Sequence, residues 1–565
     1  MPRPLTVKAE IAIIVVLAMV PLFIHLPYRV NIFLSWEGAY RISEGQLPFR
    51  DFGAPLGGMY WMIPAVFFKL FGPKLFTLIE AQVFINIISG LAFRWILSSL
   101  SVNKGVRLAA VLLFCLSYSF FNFWPWYNHS VIVYELVGLG FLLHWMRVDG
   151  GWADASSGKG GRYRWLWLAG AAFFTVCSFL TKQDGGGVAV LLALVLLAVY
   201  GWMTRRWSAV LLFAGWFAVL FLLVVSPYLG HGFGYWFNHG QAPHTARVSL
   251  FDIAAEFFGG SQWIKFYVFV IVLLAVLRYR EWAALRSDAG GFLLVLLTLG
   301  ILGEAAILQV TSYTPPDNNI FFHSFAFACI LSQLGGLLPV RLERPGLTAV
   351  LLAGVLLWWS GVWWKYTQRL TGSFAAHSKN ASPTGENVIN KDTYMINRDT
   401  ATDIPTEQWI ECGLPAFRKI TLPAPTVDGI RRLMQLDVVK KGRGNGHGAA
   451  GEGGAGLKVL NMSELTPLAA EIPYTLEKNS QLPLWYHLGV GMFNRQADTF
   501  ETRIRQRYYD LVLFEYIPTL NNFYPFRVRD SLRLHYPQVD SFMAPRRGGE
   551  TQGVIEVFVR PADSR

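Results

Sequence analysis

The sequence predicts a polytopic α-helical membrane protein with a C-terminal α/β domain, and three observations predict it. Hydrophobic residues make up 53% of the 565 and charged residues only 15%, with a mean hydropathy of +0.36. An ordinary soluble domain carries about a quarter charged residues. Apolar stretches of bilayer-crossing length recur through residues 1–365, and then stop. The remaining 366–565 have the mixed polarity and short β-branched runs of a water-exposed α/β fold. One large soluble enzyme and a disordered chain are both excluded by this composition.

A span needs about 20 mainly apolar residues. Eleven segments meet that need, near 10–27, 75–97, 107–123, 130–147, 165–181, 188–204, 208–228, 264–278, 290–310, 320–340 and 347–365. No small-residue cleavage site follows the first, which therefore reads as a span rather than a signal peptide. Segment 57–72 is apolar but short and broken by Gly and Pro, and reads as an interfacial or re-entrant helix. Positive charge tests the parity. With the N-terminus in the cytoplasm, inner loops hold 16 basic residues and outer loops nine, five of the nine in or directly after the first outer loop, residues 29–73 (Arg29, Arg41, Arg50, Lys69 and Lys74). Eleven spans with the C-terminus outside are expected, which places 366–565 on the outer face of a cell membrane, in the style of a bacterial inner membrane.

The net charge of +12 points away from nucleic acid once it is mapped. Residues 1–365 hold 25 Lys/Arg and 16 Asp/Glu, so +9 of the +12 lies among apolar segments. Cys115, Cys177, Cys329 and Cys412 have neither the even spacing of a disulfide framework nor that of a zinc site. In the C-terminal part, 457–462, 509–517 and 554–560 read as strands and 428–439 and 498–509 as helices. The Gly-rich insert 440–456 has no phosphate-loop pattern and reads as a flexible connection.

Charge is costly in a bilayer, so the sixteen carboxylates of the membrane half are informative. Glu10, Asp149, Asp154, Glu281, Asp288 and Glu343 lie at cytoplasmic ends, where solvation explains them. Glu80, Glu135 and Glu304 fall within or near span ends and read first as helix–helix hydrogen-bonding groups. Seven face outward, three of them (Glu37, Glu44 and Asp51) within fifteen residues of one loop. That loop reads SWEGAYRISEGQLPFRDFGAPLGG over 35–58, with Glu37 and Asp51 separated by a short helix (AYRISEG) and a turn. Trp36, Tyr40, Phe49, Phe52, Tyr60 and Trp61 suit the headgroup level.

The stretch resembles the first outer loop of the GT-C fold glycosyltransferases, in particular the protein O-mannosyltransferase and lipid A aminoarabinose transferase branch. The matching elements are Trp36-Glu37-Gly38-Ala39-Tyr40 and Phe49-Arg50-Asp51-Phe52-Gly53-Ala54-Pro55-Leu56-Gly57. The sequence departs from the family in having one acid rather than two in the first element. It also has Gly-Ala before the proline, where a basic residue is common. PWYNHSVIVYELVGLGFLLHW (125–145) is similar to the loop into the family's fourth span, and FLTKQDGGG (179–187) to its Leu-Thr-Lys turn, with Lys182 outside. The likeness covers about residues 10–340, and the tail 366–565 carries no motif.

The resemblance implies transfer of a sugar from a polyprenyl-phosphate carrier to an envelope glycan, lipid or protein outside the membrane, with inversion. It implies no nucleotide site. Glu37 and Asp51 are the expected general base, one of the two, and Lys182, Arg50 and Arg247 the cations for the donor phosphate. Tyr40, Asn128 and His323 are expected along the substrate cavity. Some family members hold a divalent ion with the first-loop acids. No metal signature is present here, although His231, His239 and His244 share one outer loop. Competing readings are a transporter or flippase for lipid-linked glycans, which Glu80, Glu135 and Glu304 favour, a polysaccharide ligase or polymerase, and a non-catalytic scaffold.

Overall fold

The computed structural model describes residues 3–29, 32–54, 57–118, 123–150, 164–231, 233, 250–311, 321–371, 404, 408–444, 457–472, 474, 476–483, 493–518, 525–545 and 552–562. Each of the eleven expected segments contains a helix. Six described helices are long and apolar enough to cross a bilayer. They are α1 (Arg3–Met19, continued by a 3-10 turn to Phe23), α4 (Leu75–Ser99), α6 (Tyr127–Gly150), α8 (Gln183–Thr204), α9 (Ser208–Val225) and α13 (Ala289–Thr311). A seventh span arises if α10 (Leu250–Gly259) and α11 (Gln262–Arg278), bent by 86° at their break, act as one. Shorter apolar helices are α3 (Met59–Phe71), α7 (Arg164–Phe179), α14 (Phe322–Leu337) and α15 (Pro345–Trp358). The chain is thus a multi-pass membrane protein.

Length explains the short members. At 1.5 Å per residue, the 13 residues of α3 reach about 20 Å, less than the ~30 Å hydrocarbon core, as expected for an interfacial helix. Helix α5 (Lys104–Ser117) is buried on every side from Gly105 to Ser117 and forms the centre of the bundle. By contrast, α9 buries only Ala209, Phe213 and Val225 and offers Leu and Val outward.

Of the six acids expected to be solvated at cytoplasmic ends, Glu281 and Glu343 are exposed and Asp154 lies outside the described residues, but Glu10, Asp149 and Asp288 are packed. Glu10 is fully buried and takes the Arg94 Nε at 2.6 Å and the Arg107 Nε at 2.8 Å, joining α1, α4 and α5. Asp149, at the end of α6, accepts from Tyr200 (2.7 Å), Arg164 (3.3 Å) and Arg206. Asp288 accepts from Arg278 and from Tyr279 at 2.9 Å. Helix ends converge there, leaving too little water to solvate a bare carboxylate, so arginines take its place.

The C-terminal residues build a four-stranded sheet, β5–β7–β9–β8, from β5 (Val459–Met462), β7 (Leu511–Tyr516), β8 (Gln538–Met543) and β9 (Val554–Val559). β5 and β7 are parallel, and the β7/β9 and β9/β8 pairs antiparallel. The three expected strands are all present. The expected helix 428–439 is two helices, Ala424–Leu433 and Asp437–Gly444, broken at Met434–Leu436. Helix Phe493–Arg505 starts five residues before the expected 498. Most of the Gly-rich insert, 445–456, lies outside the described residues.

Two small sheets stitch this C-terminal part to the start of the chain. β1 (Leu26–Pro27) runs parallel to β4 (Ile420–Leu422), which also pairs with β3 (Ile410–Glu411), and β2 (Phe52–Gly53) pairs with β6 (Asn479–Pro483). The Lys419 Nζ donates to Leu22 O at 2.6 Å and lies over the Phe76 ring. The C-terminal part therefore sits where α1 ends and α4 begins, at the opposite end of the bundle from Glu10.

The Glu10 cluster makes a stability prediction. Glu10→Ala leaves two arginines buried without their anion, at a cost of about 3–5 kcal/mol. Thermal unfolding of the purified protein in detergent should show a large drop in Tm. An unchanged Tm would mean that the arginines reach water without the carboxylate.

Candidate functional site

The first outer loop is more helical than its sequence suggests. Helix α2 spans Ile32–Ser43, so Trp36 and Glu37 stand on the helix rather than before it. Ile32, Phe33, Leu34, Trp36 and Ala39 are all buried, and this apolar face is the signal that an AYRISEG helix leaves out. The helical phase puts Glu37 one turn before Arg41, whose Nε and Nη2 reach Glu37 Oε1 at 3.0 and 2.9 Å. Arg41 also donates from Nη1 to Gln46 Oε1 (3.0 Å) and to Glu477 O (2.9 Å). A residue with no role assigned from sequence thus ties the first acid to the C-terminal part.

Asp51 is held differently. A turn closes over 47–52, with Asp51 N bonded to Leu47 O and Phe49 N to Phe52 O. Phe49 has φ 67°, a left-handed conformation unusual for an aromatic residue. Its ring packs edge-on against Tyr228 and Phe233. Inside this turn the Asp51 carboxylate accepts from Leu47 N at 2.8 Å and from Arg50 Nη2 at 2.6 Å, with Arg50 Nε at 3.2 Å from both oxygens. Asp51 O accepts from Asn479 N at 2.7 Å, fastening the turn to β6.

The two acids diverge in proton affinity. Burial pushes the Glu37 carboxyl above the ordinary carboxylate range, and the Arg41 charge and hydrogen bond offset only part of that. Asp51 is pulled below its ordinary value, first by the hydrogen bond from Arg50 and then by Leu47 N and the charges of Arg50 and Lys478, against the opposing effect of burial. Tyr40 stacks on Trp36 at 4.6 Å and reaches toward Ala469 O at 3.5 Å, and burial followed by the Glu44 charge pushes its hydroxyl up to about 12. The Arg50 guanidinium, expected to meet a phosphate, is here engaged by Asp51.

The Lys182 turn is brought against the same loop. A Cβ on Gly57 would lie 1.6 Å from Leu180 O, and Met59 N reaches that oxygen at 3.5 Å. Only a residue without a side chain at position 57 lets the chain touch the end of α7 there. On the other side, the Trp61 ring occupies the space a Cβ on Gly38 would need, and its Nε1 donates to Leu34 O at 3.0 Å. Lys182 Nζ donates to Asp184 Oδ2 at 2.8 Å and lies 5.8 Å from the centre of the Tyr127 ring. Asp184, in the first turn of α8, also accepts from Gly185 N at 2.8 Å. This acid is an additional member of the group; its signal in the sequence is only its place two residues after Lys182.

The remaining expected residues fall as follows. Asn128 opens α6, its Oδ1 buried without a hydrogen-bond partner, next to His129, whose Nδ1 lies 3.3 Å from Gln82 Nε2. His323 is buried in an aromatic cage of Trp263, Tyr267, Phe322, Trp358 and Trp359, with Nδ1 2.8 Å from the Tyr267 hydroxyl, as a packed core histidine would be. Arg247, His239 and His244 lie outside the described residues, as do Pro55, Leu56 and 316–319.

Among the described residues, no three His, Cys, Asp or Glu side chains converge as a metal site. Glu37 and Asp51 each face a guanidinium, so the donor set present does not suit a divalent ion. The four cysteines are separate buried thiols.

No family model matches the chain, and no curated protein does. Among solved structures it is similar to ArnT from Cupriavidus metallidurans bound to undecaprenyl phosphate, at 13% identity over 98% of both chains with a TM-score of 0.44. The apo form of that protein aligns at 14% identity and TM-score 0.47, over 98% of this chain and 97% of that one. The arabinofuranosyltransferase AftD from Mycobacteria aligns at 13% identity and TM-score 0.45, over all of this chain but 40% of that longer one. Likenesses of this size leave the chemistry to the chain's own residues.

The Gly57 contact is testable in isolation. Gly57→Ala must push the first loop off Leu180, separating the Lys182 turn from Asp51 and Glu37. The variant should fold and insert normally, but cross-linking between cysteines placed at positions 58 and 181 should fall sharply relative to the same pair in the Gly57 background.

Proposed function

We propose that the chain is a membrane glycosyltransferase that moves a sugar from a polyprenyl-phosphate donor to an envelope acceptor on the outer face. The observation that carries this reading is the juxtaposition of the acid-bearing loop and the Lys182 turn through Gly57, at the end of the bundle opposite the Glu10 cluster. It brings together segments that carry carboxylates and a lysine, which supports pairing a proton acceptor with a phosphate-binding cation, as a displacement at an anomeric carbon requires.

In that reaction the acceptor hydroxyl or amine attacks the anomeric carbon and the bond from that carbon to the phosphate oxygen breaks. The lipid phosphate leaves with the bonding electrons, the acceptor proton passes to a carboxylate, and the configuration inverts. Glu37 is the better base of the two acids. Burial raises its affinity for a proton, whereas Asp51 is already stabilised as an anion by Arg50 and Leu47 N. Asp51 then shapes the turn and positions Arg50. Lys182 meets the charge that grows on the departing phosphate, with Asp184 holding its ammonium in place. Tyr40 and Asn128 line the acceptor side, and the prenyl chain lies along apolar helices of the bundle.

The test is transfer from radiolabelled polyprenyl-phosphate sugars by the purified protein in liposomes. Glu37→Gln keeps the shape and removes the base, and should slow transfer by about 100-fold or more; Asp51→Asn should cost less. The base works only when deprotonated, so activity should fall as pH drops through the raised Glu37 value, above the ordinary carboxylate range. An acid limb below that range, together with the larger loss in Asp51→Asn, would transfer the role to Asp51. Full activity in both variants would remove the loop from the chemistry.

A second reading, movement of a lipid-linked glycan across the membrane, is favoured by one observation. The Glu135 and Glu304 carboxyls meet between α6 and α13, fully enclosed, with no donor from another described residue. Transport without bond cleavage would survive Glu37→Gln and fail in Glu135→Gln and Glu304→Gln, as read by translocation of a fluorescent lipid-linked sugar.

A further inference from the structure

At the Glu10 end of the bundle, five described arginines have an anion: Arg94, Arg107, Arg164, Arg206 and Arg278. Lys104, Arg341 and Arg344 are the contrast. They surround one cleft of about 370 Å³, together with Thr6, Gly105, Pro345 and Thr348, and they form no ion pair with any described residue. The single acid on the cleft wall is Glu343, so three positive charges face one negative.

Two helix N-termini add to that field. Helix α5 begins at Lys104 after the Asn103 cap, and α15 begins at Pro345 directly after Arg344. The floor is firm: a Cβ on Gly105 would lie 2.4 Å from Leu342 O and 2.7 Å from Thr348 Oγ1, and Thr348 Oγ1 donates to that carbonyl at 3.2 Å. The connection between α14 and α15 therefore lies tight against α5, and its arginines have a fixed base. The rim is apolar. Leu338, Val340, Leu347 and Val350, from the same connection and the first turns of α15, are 51%, 40%, 36% and 66% exposed.

An anionic head joined to an apolar body is the ligand that fits both features. We propose that this cleft binds the phosphodiester headgroup of an anionic phospholipid from the leaflet at the Glu10 end, its acyl chains lying along Leu338, Val340, Leu347 and Val350. Arg341 and Arg344 supply forked donors for phosphate oxygens, and Lys104 supplies a point charge at the α5 terminus. Basic pockets between spans on that side of a bilayer are the usual place for such headgroups. A soluble phosphate would use the cations and leave the apolar rim without a role. The site is separate from the first-loop acids and does not depend on the reaction they perform.

The experiment is native mass spectrometry of the full-length protein released from nanodiscs with equal phosphatidylglycerol and phosphatidylcholine, repeated with glycerol 3-phosphate as competitor. The expected result is preferential retention of phosphatidylglycerol by the wild type. Each of Lys104→Gln, Arg341→Gln and Arg344→Gln should weaken that retention by about five-fold, the effect of one cation near an anionic lipid. Arg280→Gln and Arg286→Gln remove exposed charge outside the cleft and should retain lipid like the wild type. Arg341 and Arg344 are exposed, so their substitution leaves the core intact, and an unchanged melting temperature checks this. Equal retention of the two lipids overturns the proposal, as does an equal loss in the Arg280 and Arg286 variants. Displacement by glycerol 3-phosphate at the lipid's own concentration also overturns it, by making a free phosphate the ligand.

Discussion

A carboxylate taken out of water costs several kcal/mol unless a cation meets it, and the bundle meets its acids at two levels. At one end Glu10, Asp149 and Asp288 are gripped by arginines from neighbouring helices. At the other, Glu37, Asp51 and Asp184 are each held by a cation within four residues in sequence. The two ends differ in the range of their pairs. Pairs such as Glu10–Arg107 join distant parts of the chain and fix how helices cross. The local pairs at the other end cross-link little, and each can be opened without unpacking a helix.

What locks the end away from Glu10 is backbone rather than charge. β2 pairs with β6, β1 pairs with β4, Asn479 N bonds Asp51 O, and Arg41 caps Glu477 O. Together these put the first loop between the helices and the C-terminal sheet. The C-terminal part is therefore a wall of the candidate site and more than an appendage. Glu37 owes its partial removal from water to this arrangement, because α2 alone, at the surface of a bundle, would leave its polar face wet.

Much of this was legible in the sequence, and the reasons differ by element. The apolar segments announced their helices because a bilayer permits little else. Strands at 459–462, 511–516 and 554–559 announced themselves by β-branched runs bounded by turns. The Glu37–Asp51 loop was visible because acids crowd there at no benefit to folding. The long-range partners were not visible. Nothing in the spacing of Glu10, Arg94 and Arg107 says that they meet, since three helices must pack before the distances exist. Nor does sequence show that Arg50 turns toward its neighbour Asp51, a choice made by the 47–52 turn and the left-handed Phe49.

That turn also explains why two acids on one loop need not be equivalent. A carboxylate surrounded by Arg50 and a backbone N–H is stable as an anion, and that same stability makes it slow to take a proton in a transition state. A carboxylate pressed into a half-dry site beside one arginine keeps a raised affinity for a proton. The sequence offers Glu37 and Asp51 as equals, and their surroundings set their proton affinities apart. Asp51 organises the turn that Gly57 wedges against Leu180, and Glu37 stands behind it on a rigid helix whose partners Trp36, Trp61 and Tyr40 leave it little freedom to move. For the proposed base this matters: burial raises the proton affinity of Glu37 and the Arg41 hydrogen bonds offset only part of that, whereas Arg50 and Leu47 N hold Asp51 as an anion.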